Sequence, residues 1–145
     1  MFSFYSKGCE YAIRALSEMA GETAGTRFRA SDICRRAGIP EAYARKTFQS
    51  LVQTGFLNAG TGPGGGYSLC RAPEKISLLD VVLAVEGESF FSGCVLGFPS
   101  CGSNNPCSLH DTWRRLKETM LAALASKNLK EISIASSKKI RRVKK

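Results

Sequence analysis

Apolar residues in the stretch EYAIRALSEMA recur at steps of three and four. Ala12, Ile13, Leu16, Met19 and Ala20 share one face, which predicts an amphipathic helix from about Ser6 to Gly21. After a polar loop to Phe28 the period returns. Ser31 is placed to cap a short helix with Ile33, Cys34 and Ala37 inward, Gly38 supplies a turn, and Pro40 stands where a second helix can begin. That helix runs from Glu41 to near Gly55 with Ala44, Phe48, Leu51 and Val52 inward. Short helix, glycine turn and longer helix are the layout of a helix-turn-helix.

The period then changes to strands. Phe56-Leu-Asn-Ala and Tyr67-Ser-Leu-Cys flank the glycine-rich run Gly60 to Gly66, which reads as a hairpin or wing. Gly60, Gly62 and Gly65 match G-x-G-x-x-G, but a dinucleotide site needs a helix after the glycines, and here a strand follows and Pro63 interrupts. Ser77-Leu-Leu-Asp80 has the form of a capping box and opens a nearly all-apolar helix to Gly87. About twenty residues without a period follow, the length at which a loop in a compact domain is functional or disordered. Ser108-Leu-His-Asp111 predicts the start of a long C-terminal helix with Ser108 as its cap. Its residues Leu109, Trp113, Leu116, Met120 and Ala123 step by four and three, the seam of a coiled coil, and predict an isologous homodimer or else an intramolecular face.

Charge adds partners to this outline. Residues 1–75 carry ten Lys and Arg against six Asp and Glu, residues 76–135 are near neutral, and the last ten, SSKKIRRVKK, carry six cations and no acid. Basic ends around a neutral middle point to a polyanion. The outer face of the second helix of the pair presents Tyr43, Arg45, Lys46, Gln49 and Gln53, and Arg35 and Arg36 lie beside it. These side chains can donate to base edges and phosphates, although an ordinary solvated face has the same composition. Bare amides at wing glycines such as Gly64 and Gly65 suit close approach to a sugar-phosphate backbone. The tail is read either as a disordered solubilising end or as a phosphate-contacting arm.

No signal peptide and no membrane span is legible, so a cytoplasmic setting with reduced thiols is expected. Of the six cysteines, Cys9, Cys34 and Cys70 stand apart and read as small buried hydrophobes. Cys94, Cys101 and Cys107 form a group with His110, the single histidine, separated by six, five and two residues. Three thiolates and an imidazole can hold zinc or an iron-sulfur cluster. The gaps are wider than the close knuckles typical of zinc, and favour a larger object. Thiol-disulfide switching remains open, and so does zinc. His110 could serve a catalytic thiol as base, but neither a carboxylate-bearing triad nor a substrate pocket is legible, so no enzyme and no small-molecule substrate are expected.

Taken together, SKGCEYAIRAL, DICRRAGIPEAYARKTFQSLVQTGFL, GPGGGYSL, ISLLDVVLAVEG and the run of cysteines into CSLHDTW resemble the Rrf-type winged-helix regulators, the family of IscR and NsrR. The resemblance covers about residues 4–127. It implies a homodimeric transcription regulator, read as a repressor, that binds double-stranded operator DNA with two half-sites and senses redox, iron-sulfur status or nitric oxide. It implies an iron-sulfur cluster on Cys94, Cys101, Cys107 and His110, 2Fe-2S in preference to 4Fe-4S. Glu10 is the alternative fourth ligand, because other members place a carboxylate of the partner's first helix on the cluster. This chain departs from the family's pattern in three places. Its first cysteine gap is six residues rather than five, Thr61 stands where many members have arginine, and Arg45 and Lys46 replace the Glu and Gln of the iron-sulfur biogenesis regulator. The expected fold is mainly α, a winged helix-turn-helix DNA-binding domain with a long C-terminal dimerisation helix. Its expected divisions are a DNA-binding domain over 1–75, the buried helix, cluster loop and dimerisation helix over 76–135, and a disordered basic tail over 136–145.

Overall fold

A computed structural model describes residues 4–143, with side chains as far as residue 136. Helix α1 (Lys7–Ala20) begins at Ser6, whose hydroxyl accepts from the backbone N–H of Cys9. Its buried face is Cys9, Ala12, Ala15, Leu16, Met19 and Ala20, which holds four of the five residues of the predicted stripe; the fifth, Ile13, is half-buried against the same core. Helix α2 (Ala30–Ala37) begins two residues earlier than a Ser31 cap would set it. Arg29 is the cap position, without a side-chain bond, and Ser31 falls in the first turn. The reason lies upstream: Phe28 exchanges both backbone hydrogen bonds with Tyr67, each 2.8 Å, so the chain is extended up to the point where the helix starts.

Gly38 closes α2 in the left-handed region at φ 68°, with the N–H of Ile39 donating to the carbonyl of Cys34. Helix α3 (Glu41–Gln53) then buries Phe48 and Leu51 completely. Strands β1 (Leu57–Gly60) and β2 (Gly66–Leu69) pair antiparallel from Leu57↔Leu69 to Gly60↔Gly66. Tyr67 stacks on Phe48 at 4.8 Å, which fixes the wing against α3. Each buried side chain of this size contributes about 1.5–3 kcal/mol.

Helix α4 (Leu78–Glu86) carries the reciprocal capping box expected of Ser77 and Asp80. Its two faces do different work. Val81 joins the main core with Leu16, Phe48, Leu51, Ile76 and Leu129, while Val82 joins a second cluster with Cys9 and Leu124. The core therefore crosses residue 75. A 3-10 turn at Glu88–Phe91 follows, then the thiol loop.

Helix α5 (His110–Ser126) differs at its start from the expected Ser108 cap. Ser108 and Leu109 form a turn closed by His110 N–H on the Cys107 carbonyl, and Leu109 takes the cap position without a side-chain bond. The predicted seam divides. Leu109 and Leu116 are exposed, at 43% and 57%, whereas Met120 packs on the cluster of Val82 and Leu124.

The largest difference is at the C-terminus. The chain turns extended at Lys127, pairs as a bridge between Ser77 and Asn128, and re-enters a helix, α6 (Leu129–Val143). Asn128 and Glu131 form a reciprocal cap, each side chain accepting the other's backbone N–H at 3.0 and 2.9 Å. Leu129 is fully buried in the main core, and α6 packs along α1. A helix so nucleated propagates at little cost, which is why α6 runs through Ser136–Val143, where the charge run predicts a disordered tail. Lys144, Lys145 and the side chains from residue 137 lie outside the described residues, and the phosphate-contacting reading of the tail falls there.

Candidate nucleic-acid interface and thiol pocket

Helix α3 presents Tyr43, Arg45, Lys46, Gln49 and Gln53 outward, all exposed. Arg45 and Lys46 have no ion pair among the described residues. The Tyr43 ring leans on Tyr11 of α1 at 5.1 Å and is thereby oriented. The two arginines of α2 differ from each other. Arg35 makes an exposed pair with Asp32 at 3.0 Å, which is worth little and easily exchanged for a phosphate. Arg36 is drawn back onto α1, between Glu18 at 3.3 Å and Glu22 at 2.8 Å, with its cation 5.9 Å from the Phe28 ring. On the wing, Gly64 sits at φ +76° with open space around its Cα, while at Gly65 a Cβ would meet the carbonyl oxygens of Gly60 and Gly62 at 2.7 and 2.8 Å. Two further cations, Arg27 and Arg29, stand beside the wing and escaped the sequence reading. The alternation Arg-Phe-Arg around the buried Phe28 was the available signal.

The four thiol-loop candidates do come together. They line one cavity of about 340 Å³ with Phe98, Pro99, Ser100, Asn105 and Pro106. They arrange as two pairs: Cys94 Sγ lies 4.0 Å from Cys107 Sγ, and Cys101 Sγ lies 3.5 Å from His110 Nδ1. Among the described residues no three Cys, His, Asp or Glu side chains converge closely enough to cage a metal ion. Soft donors in two pairs across a cavity of this size suit a group with two metal centres better than a single ion. The Cys94 thiol is held below its usual range by the backbone N–H groups of Phe98 and Leu96, with smaller help from the Cys107 thiol and Gly97. Glu10 sits on α1, paired with Lys7 at 2.9 Å, and does not line this cavity within its own chain.

The remaining cysteines split. Cys9 and Cys34 are buried, as expected. Burial pushes the Cys9 thiol up to about 12, with the carboxylates of Glu86 and Glu10 adding to it, and burial raises Cys34 as well. Cys70 departs from the expectation and is exposed, because it follows the last β2 residue where the chain leaves the sheet.

A helix-turn-helix with its wing, and a long helix bearing exposed leucines, define a DNA-binding transcription regulator. The chain belongs to the Rrf2 family, whose model, described as an iron-dependent transcriptional regulator, matches residues 5–134. It is 33% identical over 127 residues to the HTH-type transcriptional regulator IscR of Xenorhabdus nematophila, covering 88% of this chain and 76% of that one. IscR of Klebsiella pneumoniae is 32% identical, with 88% and 77% covered. Among solved structures, CymR of B. subtilis, titled the global cysteine regulator, superposes with a TM-score of 0.76 at 19% identity over 93% of this chain and 98% of that one. IscR of T. potens gives 0.72 at 22% identity over 90% and 86%. These two likenesses support the fold alone. No helix among the described residues is long and apolar enough to cross a membrane.

Proposed function

We propose that this regulator is a homodimeric repressor that senses redox, iron-sulfur status or nitric oxide through an iron-sulfur cluster, 2Fe-2S, held by Cys94, Cys101, Cys107 and His110. The observation that carries this reading is the arrangement of those four side chains as two pairs lining one cavity. Two protein ligands per iron is the requirement of a two-iron cluster. When bound, such a cluster supplies a centre whose charge and integrity depend on electrons and on reactive small molecules.

The chain's own residues carry the consequence outward. The loop is anchored at one end by Phe90 and Phe91, which pack with Val82 of α4, and at the other by the start of α5. Through Val82 and Leu124, α5 is tied to α4, and through Val81, α4 is tied to the core that holds α3. With α5 as the dimer helix, reordering of the loop shifts the population between dimers of different recognition-helix separation. Half-sites must lie one helical turn apart, about 34–36 Å, so a small change there alters operator affinity.

Anaerobic purification tests the reading. The protein is expected brown, with iron and sulfide, and bleached by alanine at Cys94, Cys101 or Cys107. Colourless protein with stoichiometric zinc sinks the cluster assignment. A second reading rests on the 4.0 Å Cys94–Cys107 approach and the lowered Cys94 thiol: a disulfide switch, which needs the sulfurs to close to about 2.05 Å. Metal-free protein whose DNA binding is lost on oxidation and restored by a dithiol supports that reading instead.

A further inference from the structure

The wing carries no charge of its own: residues 56–70 contain neither Lys, Arg, Asp nor Glu. Its cations come from the segment before α2. Phe28 forms a single antiparallel bridge to Tyr67 with its ring buried, and the residues on either side, Arg27 and Arg29, are exposed beside the hairpin. Arg27 Nη1 donates to the Gly64 carbonyl at 3.4 Å, and a Cβ on Gly60 would run into the same guanidinium. Arg29 borders a groove of about 390 Å³ whose other walls are Ala30 and wing residues 60 and 62–66. Unlike Arg35 and Arg36, neither arginine has an ion pair among the described residues.

We propose that Arg27 and Arg29, with the glycine wing, form a phosphodiester-binding site that grips the DNA backbone next to the groove read by α3. Two unpaired guanidiniums converge on a hairpin whose glycines keep side chains out of the way, and a guanidinium matches phosphate oxygens two at a time. Arg27 is positioned by the wing carbonyl that it touches, so part of the ordering cost is met before DNA arrives. The site contacts backbone and carries no base information, leaving sequence choice to Arg45, Lys46 and Gln49. It deepens the DNA-binding reading and does not depend on what the cysteines hold.

The test uses the full chain and two duplexes, one selected by the wild type from a random pool and one scrambled. Arg27→Ala and Arg29→Ala are each expected to weaken binding to both duplexes about fivefold at physiological salt. Each is also expected to flatten the plot of log affinity against log salt by about one unit of slope. Arg27→Lys and Arg29→Lys keep the slope and the corresponding Gln variants lose it, a contrast that holds even where an alanine variant folds poorly. The proposal is overturned if wild-type protein binds DNA and an Arg27→Gln, Arg29→Gln double variant with unchanged melting binds both duplexes with wild-type affinity and slope. Wild-type protein that binds neither duplex at low salt overturns the DNA-binding reading itself, and this site with it.

Discussion

The indole Nε1 of Trp113 donates to the carbonyl oxygen of Gly93 at 3.0 Å, tying the residue before Cys94 to the first turn of α5. One hydrogen bond thus joins the beginning of the thiol loop to its end, where His110 opens the helix. Trp113→Phe keeps the aromatic surface and removes the donor. It is expected to cost about 1 kcal/mol at most, and to raise the rate at which a maleimide labels Cys94 in metal-free protein. An unchanged labelling rate would show that the bond does not hold the loop.

Cys9 is fully buried and its thiol is pushed up to about 12, against 9.0 as its reference value. The folded state therefore keeps a proton that the unfolded chain gives up near pH 9. Its contribution to stability is complete below pH 9 and is lost as pH rises toward 12. Cys9→Ala should flatten the fall in urea midpoint over that window. In native protein, a thiol reagent should modify Cys70 readily and leave Cys9 and Cys34 untouched until unfolding.

Leu109, at the cap of α5, and Leu116, within it, are seven residues apart and both exposed, and nothing among the described residues covers them. As the seam of a dimer they predict that Leu116→Glu gives a monomer in sedimentation velocity, where the wild type runs at twice the chain mass. DNA affinity should drop with it, since one half-site is read instead of two. A Leu116→Glu protein that remains dimeric would place the interface elsewhere.

Gly66 begins β2 at φ +127°, and a Cβ there would collide with the Phe28 carbonyl oxygen. Gly66→Ala is expected to lose more than about 1 kcal/mol and to detach the wing from the segment carrying Arg27 and Arg29. A thermal melt and a DNA titration check the two effects separately. Loss of stability with full DNA affinity would mean that the detached wing still reaches the backbone.

Much of this was legible in advance because it is local. The α1 stripe, the Gly38 turn, the charge-free glycine hairpin and the Ser77–Asp80 box each depend on neighbours within a few residues, and each forms where the spacing places it. The grouping of Cys94, Cys101, Cys107 and His110 was equally visible, since all four lie within seventeen consecutive residues, and they line one cavity. The C-terminus was not. Asn128-Leu-Lys-Glu131 has a capping pattern of its own, but what commits the chain to α6 is the burial of Leu129 in the main core, which nothing in the charge run beyond it reveals.

Residue order alone therefore determined the helix-turn-helix, the wing and the set of soft donors, because period, turn glycines and loop length act over short separations. Tertiary structure decided which cations remain available. Arg36 is spent on Glu18 of α1 and Glu22 just beyond it, while Arg27 and Arg29 gain a wing to serve. It also decided that α6 folds back onto α1, through burial of Leu129 beside Ile76, a contact between residues more than fifty positions apart that no local pattern encodes.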